Sequence, residues 1–182
     1  MKNATHKTAL VIIPPDEIWG PIQAIRQEHD RHVRRWMPHI TLFYPFVPVS
    51  EFDAAHRELV PVCRRCQPFD VTLRRFDVFD HGKGHHTVWL APEPEEPLLD
   101  LHATLWAALC EPDELERGLR RFIPHLSVGQ VRGKARVAEL IEDLQAEWAP
   151  VRFRVDSVRF ISRREPPDDV FRIERSLKLH GR

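Results

Sequence analysis

Pro38-His39-Ile40-Thr41-Leu42 returns 86 residues later as Pro124-His125-Leu126-Ser127-Val128, so the chain twice spells Pro-His-apolar-hydroxyl-apolar. Proline has no backbone N–H and pushes the residue before it, Met37 or Ile123, into an extended conformation; each phrase reads as the opening of a strand. Side chains alternate between the faces of a strand. His39 and Thr41 therefore share one face, as do His125 and Ser127, while Ile40, Leu42, Leu126 and Val128 point into the apolar side.

Working outward, the first half orders itself around its phrase. Thr8 to Ile13 is short and β-branched, a buried strand. Asp16 to His32 reads as a helix, with Asp16 as its cap and Ile18, Ile22 and Ile25 at helical spacing. A strand from His39 to Phe46 follows, and then a helix toward Cys66 whose Ser50 and Asp53 resemble a capping box. Phe69 to Phe79 and His86 to Ala91 read as strands joined by the turn at His81-Gly82-Lys83-Gly84. The second half repeats the order. Pro97 to Cys110 is a helix, the His125 strand comes next, Lys134 to Trp148 is an amphipathic helix, and Val151 to Ile161 and Val170 to Leu179 are strands.

The halves overlay. His39 falls on His125 and Thr41 on Ser127; Val71 falls on Phe153, Leu73 on Val155, and Val88-Trp89 on Val170-Phe171. The expected fold is therefore α+β: a duplicated, two-lobed arrangement of mainly antiparallel sheets with flanking helices around a central cleft. Residues 1–182 are expected to form one bilobal domain. A pseudo-twofold axis would bring both histidine-hydroxyl pairs to that cleft.

Composition narrows the partners. In 182 residues, 42% are hydrophobic, enough to bury about 70% of the unfolded surface at this size. Lys+Arg and Asp+Glu are both 27, and zero net charge argues against sequence-blind nucleic-acid binding. No stretch approaches the roughly 18 apolar residues of a membrane span. With three cysteines and no signal-peptide pattern, the expected location is the cytoplasm.

Two facing histidines suit displacement at phosphorus. With an unperturbed pKa near 6.5, one ring can be neutral and take a proton from the attacking oxygen while the other, protonated, gives one to the leaving oxygen. Thr41 and Ser127 would donate to the non-bridging oxygens, where charge builds. Neither metal nor covalent intermediate is needed.

The pair His39-Ile40-Thr41 and His125-Leu126-Ser127 resembles the 2H phosphoesterase superfamily, in particular its bacterial 2′-5′ RNA ligase and cyclic phosphodiesterase branch. The resemblance implies the HxTx-type roles: His39 and His125 as catalytic acid and base, Thr41 and Ser127 as phosphate-binding hydroxyls. It also implies metal-independent action, without cofactor, on 2′,3′-cyclic phosphates or related nucleotidyl and RNA-end phosphodiesters, with reversible 2′-5′ ligation as another side of the same chemistry. Here Ser127 stands where threonine is common. Gly129-Gln130 stands where ligase-like members often carry an arginine.

Phe43 and Trp36 are candidate substrate-lining aromatics, and Lys83 is the candidate replacement for the missing cation. Trp89 and Phe171 read as core. His29, His32, His81, His85 and His86 read as surface residues without zinc spacing, and Cys63-x-x-Cys66 lacks a second pair. The run Arg152, Arg154, Arg159, Arg163 and Arg164 reads as a solvated face. The expected protein is a monomer acting on a nucleotide or RNA-end phosphodiester, with selectivity in a loop at Glu111 to Arg121. Rival readings are a non-catalytic nucleotide or RNA-end binding module and a zinc hydrolase built from the other histidines.

Overall fold

The computed structural model describes residues 3–110 and 122–181, so the expected selectivity loop lies outside the described residues. In chain order it contains β1 (Thr8–Ile12), α1 (Trp19–His29), β2 (Ile40–Phe43), α2 (Phe52–Arg65), β3 (Phe69–Asp80) and β4 (His85–Glu93). There follow α3 (Glu96–Leu109), β5 (Leu126–Arg132), α4 (Lys134–Glu147), β6 (Val151–Val155), β7 (Ser157–Ser162) and β8 (Arg172–Lys178). The strands form two antiparallel sheets, ordered β2-β1-β7-β8 and β5-β4-β3-β6.

The expected helices are present, but their side-chain caps are not. Asp16 opens a 3-10 turn ahead of α1, and α2 begins from Glu51; neither start is closed by a side-chain hydrogen bond. Ser50 lies within the 3-10 turn Val49–Glu51, one residue ahead of the N-cap position that Glu51 takes.

The duplication is visible in the strand pairing. Val71 lies opposite Phe153, Phe69 opposite Val155 and Leu73 opposite Val151, so the overlaid segments pair with one another around the Val71–Phe153 point. An approximate twofold axis passes there. Beyond it the halves part company. β3 continues unbroken, whereas the single strand expected over Val151 to Ile161 divides at Asp156 into β6 and β7, which join different sheets. Ser157 and Val158 are both buried, which no regular alternation allows.

A second correction concerns the last overlay. β4 lies between β3 and the histidine strand β5, the place that β1 holds beside β2. β8, which the overlay set against β4, lies at a sheet edge. Val170 and Phe171 precede β8, so they are not counterparts of Val88 and Trp89 in strand position.

One large apolar cluster runs through both sheets and includes Leu10, Ile22, Ile40, Phe46, Leu59, Leu73, Leu90, Leu126 and Phe160. Helix α4 closes the bulge at Arg74 in β3: Gln145 accepts from the Phe76 N–H and donates to the Arg74 carbonyl, and Trp148 donates to the Leu73 carbonyl. These bonds satisfy groups that the sheet leaves unpaired. Among the described residues, no helix is long and apolar enough to cross a membrane.

Candidate active site

Each histidine immediately precedes its strand, His39 before β2 and His125 before β5, so the strands start one residue later than expected. The local geometry is duplicated. Nδ1 of His39 lies 2.7 Å from the Met37 carbonyl oxygen, and Nδ1 of His125 lies 2.7 Å from that of Ile123. A carbonyl only accepts, so Nδ1 must carry the proton in both rings. In the neutral imidazole Nε2 is then the bare nitrogen. Both rings are therefore set in the tautomer that leaves Nε2 free to take a proton.

Aromatic side chains back the rings in different ways. Trp36 stacks on His39 with centroids 4.7 Å apart and planes at 16°, and Phe171 stacks behind Trp36 at 3.7 Å. His125 instead meets Phe79 edge-on at 4.8 Å and Trp89 at 5.9 Å. Trp89 and Phe171 are buried, as expected of core residues, yet each helps to wall a histidine.

Burial holds both imidazoles neutral. The pKa of His39 is pushed down to about 4, chiefly by loss of solvent; the Met37 carbonyl opposes this, while the charges of Arg26 and His125 add to it. Since the charge of His125 is felt at His39, the two rings lie within electrostatic reach of each other. The pKa of His125 is also lowered by burial, against the pull of the Ile123 carbonyl. The side chains of Thr41 and Ser127 are half-buried and bond to no other described residue, so both hydroxyls remain available as donors.

A matching bulge follows each hydroxyl. Val11 pairs with Thr41 and Leu10 with Phe43, leaving Leu42 as the extra residue; Trp89 pairs with Ser127 and Val88 with Gly129, leaving Val128. The bulge ends the simple alternation that placed Phe43 beside His39 and Thr41. Phe43 is buried in the core, its ring 5.2 Å from His102 and 5.3 Å from Trp106, and not on the substrate-facing side. His102, itself buried, hydrogen-bonds the backbone of the bulged Leu42 and stacks at 3.9 Å on Phe122, just ahead of the second phrase. Sequence reasoning missed it, because a single histidine in an apolar helix carries no periodic signal.

The candidate cation is displaced as well. Lys83 occupies the exposed tip of the β3–β4 turn with φ 52°, and the neighbouring Gly84 carbonyl accepts from the Gly133 N–H at 2.8 Å. Gly133 lies eight residues beyond His125, roughly 25 Å along an extended strand, so Lys83 stands at the opposite end of the sheet. Gln130 also turns away from the histidines, toward α1, where it bonds Asp30 and Arg31. Arg163 lies over the Phe171 ring at 5.7 Å, and Arg152 and Arg154 pair with Asp70.

Among the described residues, no group of three or more His, Cys, Asp or Glu side chains is placed to hold a metal ion. His86, expected at the surface, is buried with neither ring nitrogen hydrogen-bonded. Burial pushes the Cys63 thiol up to about 12 and raises that of Cys66, which keeps both protonated and poorly nucleophilic.

The comparisons with known proteins point one way. Residues 14–167 match the model of the 2′-5′ RNA ligase superfamily. An RNA 2′,3′-cyclic phosphodiesterase of Methanothermobacter thermautotrophicus is 33% identical over 114 residues, 59% of this chain and 59% of that protein. Among solved structures, TT0787 of Thermus thermophilus superimposes with a TM-score of 0.65 at 20% identity, covering 96% of this chain and 98% of its own. Escherichia coli LigT complexed with 3′-AMP superimposes with a TM-score of 0.57 at 18% identity, covering 95% and 97%. The match to the family model takes in both histidine phrases and most of what lies around them: the chain belongs to the 2′-5′ RNA ligase superfamily.

Proposed function

We propose that the protein is a metal-independent phosphodiesterase that opens 2′,3′-cyclic phosphates or related nucleotidyl and RNA-end phosphodiesters by two-histidine acid-base catalysis. The observation that carries this reading is the duplicated Nδ1 anchor, which fixes both imidazoles in the same tautomer with Nε2 free. The names of the Methanothermobacter relative and of the LigT complex with 3′-AMP support a nucleotide phosphodiester as substrate.

The surroundings divide the roles. His39 is the more strongly depressed ring, with the Arg26 charge among the causes. It stays neutral and accepts the proton of the attacking water. His125, whose pKa is lowered by burial against the pull of the Ile123 carbonyl, is then the acid. A bound phosphodiester anion raises the affinity of both rings for a proton, and His125 then delivers one to the departing ribose oxygen. Thr41 and Ser127 donate to the non-bridging oxygens. With a ribose 5′-hydroxyl in place of water as the nucleophile, the same groups would open the cyclic phosphate to a 2′-5′ linkage, the 3′-oxygen leaving with the proton from His125.

The test is turnover of 2′,3′-cyclic AMP and of RNA bearing a 2′,3′-cyclic end, in EDTA. Activity should survive chelation, and His39→Ala and His125→Ala should each lose about 10²- to 10⁴-fold, the range of a general acid or base. Ligand binding without turnover on any phosphodiester would refute the enzyme and leave a binding module.

A further inference from the structure

Helix α1 leads into β2, yet its C-terminal end docks on β5, the strand that carries the other histidine. Two features of β5 make this close approach possible. A Cβ at Gly129 would lie 2.7 Å from Cβ of His29 and 3.2 Å from its carbonyl oxygen, so only glycine fits there. The next residue, Gln130, reaches across: its Nε2 donates to Oδ1 of Asp30 at 3.1 Å, and its Oε1 accepts from the Arg31 N–H at 3.1 Å.

Asp30 is buried and continues the connection. Its Oδ1 also accepts from the His32 N–H at 2.8 Å, and its Oδ2 receives the guanidinium of Arg26 at 2.9 Å from Nε and 2.8 Å from Nη2. Arg26 is 2% exposed, and its Nη2 donates to the Trp36 carbonyl at 2.9 Å. The Trp36 ring is the one stacked on His39. A continuous set of bonds therefore runs from the strand of His125 to the backbone of Trp36, the residue whose indole backs His39. A buried pair of this kind gains little for stability over an apolar one, but it fixes geometry.

Resting on the phosphoesterase reading of the cleft, we propose that Gln130 is a positioning residue: through Asp30, Arg26 and Trp36 it ties the His125 strand to the support of His39 and so sets where the two rings stand for reaction. The chain thus uses an amide to join β5 to the segment that leads from α1 into β2. The amide suits the task because it donates to the carboxylate of Asp30 and accepts from a backbone N–H at once.

The experiment measures kcat and KM of Gln130→Ala and Gln130→Glu on 2′,3′-cyclic AMP, and the His39 ring-proton resonance of the ligand-free proteins by NMR. Gln130→Glu keeps the shape and the acceptor for Arg31 while losing the donor to Asp30. In both variants kcat is expected to fall at least about tenfold with KM within about twofold, as for a displaced catalytic group rather than a lost ligand contact. The His39 resonance should move toward its position in Trp36→Ala. A rise in KM at unchanged kcat would make Gln130 a substrate contact and overturn the proposal; an unmoved His39 resonance would overturn it too. If the wild-type protein turns over no phosphodiester, the proposed function falls, and the NMR comparison still decides whether the tie exists.

Discussion

The substitution Gly129→Ala puts the docking of α1 on β5 to a direct test. The added carbon would meet Cβ of His29 at 2.7 Å, an atom fixed by the helix backbone that cannot swing aside. Restoring an ordinary contact of about 3.7 Å requires the helix and strand to part by roughly 1 Å. The two Gln130 bonds, both 3.1 Å long, cannot stretch that far and remain hydrogen bonds. Overpacking costs about 1–3 kcal/mol and the two bonds about 1 kcal/mol each, for a total of about 4 kcal/mol. In a chain of this size that corresponds to a fall in Tm of roughly 8–16 °C. Moving one histidine about 1 Å against the other should lower kcat/KM about 10²-fold. Calorimetry and turnover of 2′,3′-cyclic AMP read the two effects separately. A variant within about 2 °C of wild type and with kcat/KM within about threefold would show that the sheets do not depend on this contact, and the reasoning would fail.

Two further outcomes follow from the histidines whose pKa values desolvation lowers. With His39 needed neutral and titrating at about 4, and His125 needed protonated and titrating below 6.5, kcat/KM should peak between those limits and decline on the alkaline side. A profile still rising above about pH 7 would show that no protonated histidine is needed and would refute the acid role of His125. The pKa of His102 is also pushed down to about 4 by burial, so the unfolded chain binds a proton that the folded one resists. Its contribution to stability is complete above 6.5 and is lost as pH falls toward 4. Thermal melts should show Tm decreasing over that window, and less steeply in His102→Leu, which also loses the bond to the bulged Leu42, worth about 1 kcal/mol. Equal pH slopes in the two proteins would contradict this.

What sequence could reveal and what it could not divides along physical lines. The proline before each histidine and the apolar residue after it settle a strand, a face and a pairing of His39 with Thr41 and His125 with Ser127, because these depend on the residues themselves. The bulge at Leu42 depends on the register of a partner strand, so nothing in the sequence warned that Phe43 would turn into the core. Lys83 was assigned by residue type, but the direction of β5 decides where its turn lies. The break at Asp156 is hidden because β6 alternates up to it, whereas β7 is buried on both faces at Ser157-Val158 and Phe160-Ile161, a pattern set by the sheet that it joins. Arg26 and Asp30 stand four apart, a common surface pattern on helices; only packing against Trp36 and Gln130 shows that this pair is buried.

The pairing of Val71 with Phe153 resembles the contact on the dyad of a homodimer, where the same patch meets itself. Two identical subunits would be bound to give both imidazoles identical surroundings. A single covalent chain is released from that requirement, and the bulges show the freedom in use: the position filled by Phe43 in one half is emptied to Gly129 in the other. One helix can thereby approach closely while its counterpart is held off by a ring, and an arginine can stand near His39 without an equal near His125. Continuity of the backbone thus makes unequal partners out of a symmetric scaffold, which suits the proposed reaction with one proton acceptor and one proton donor.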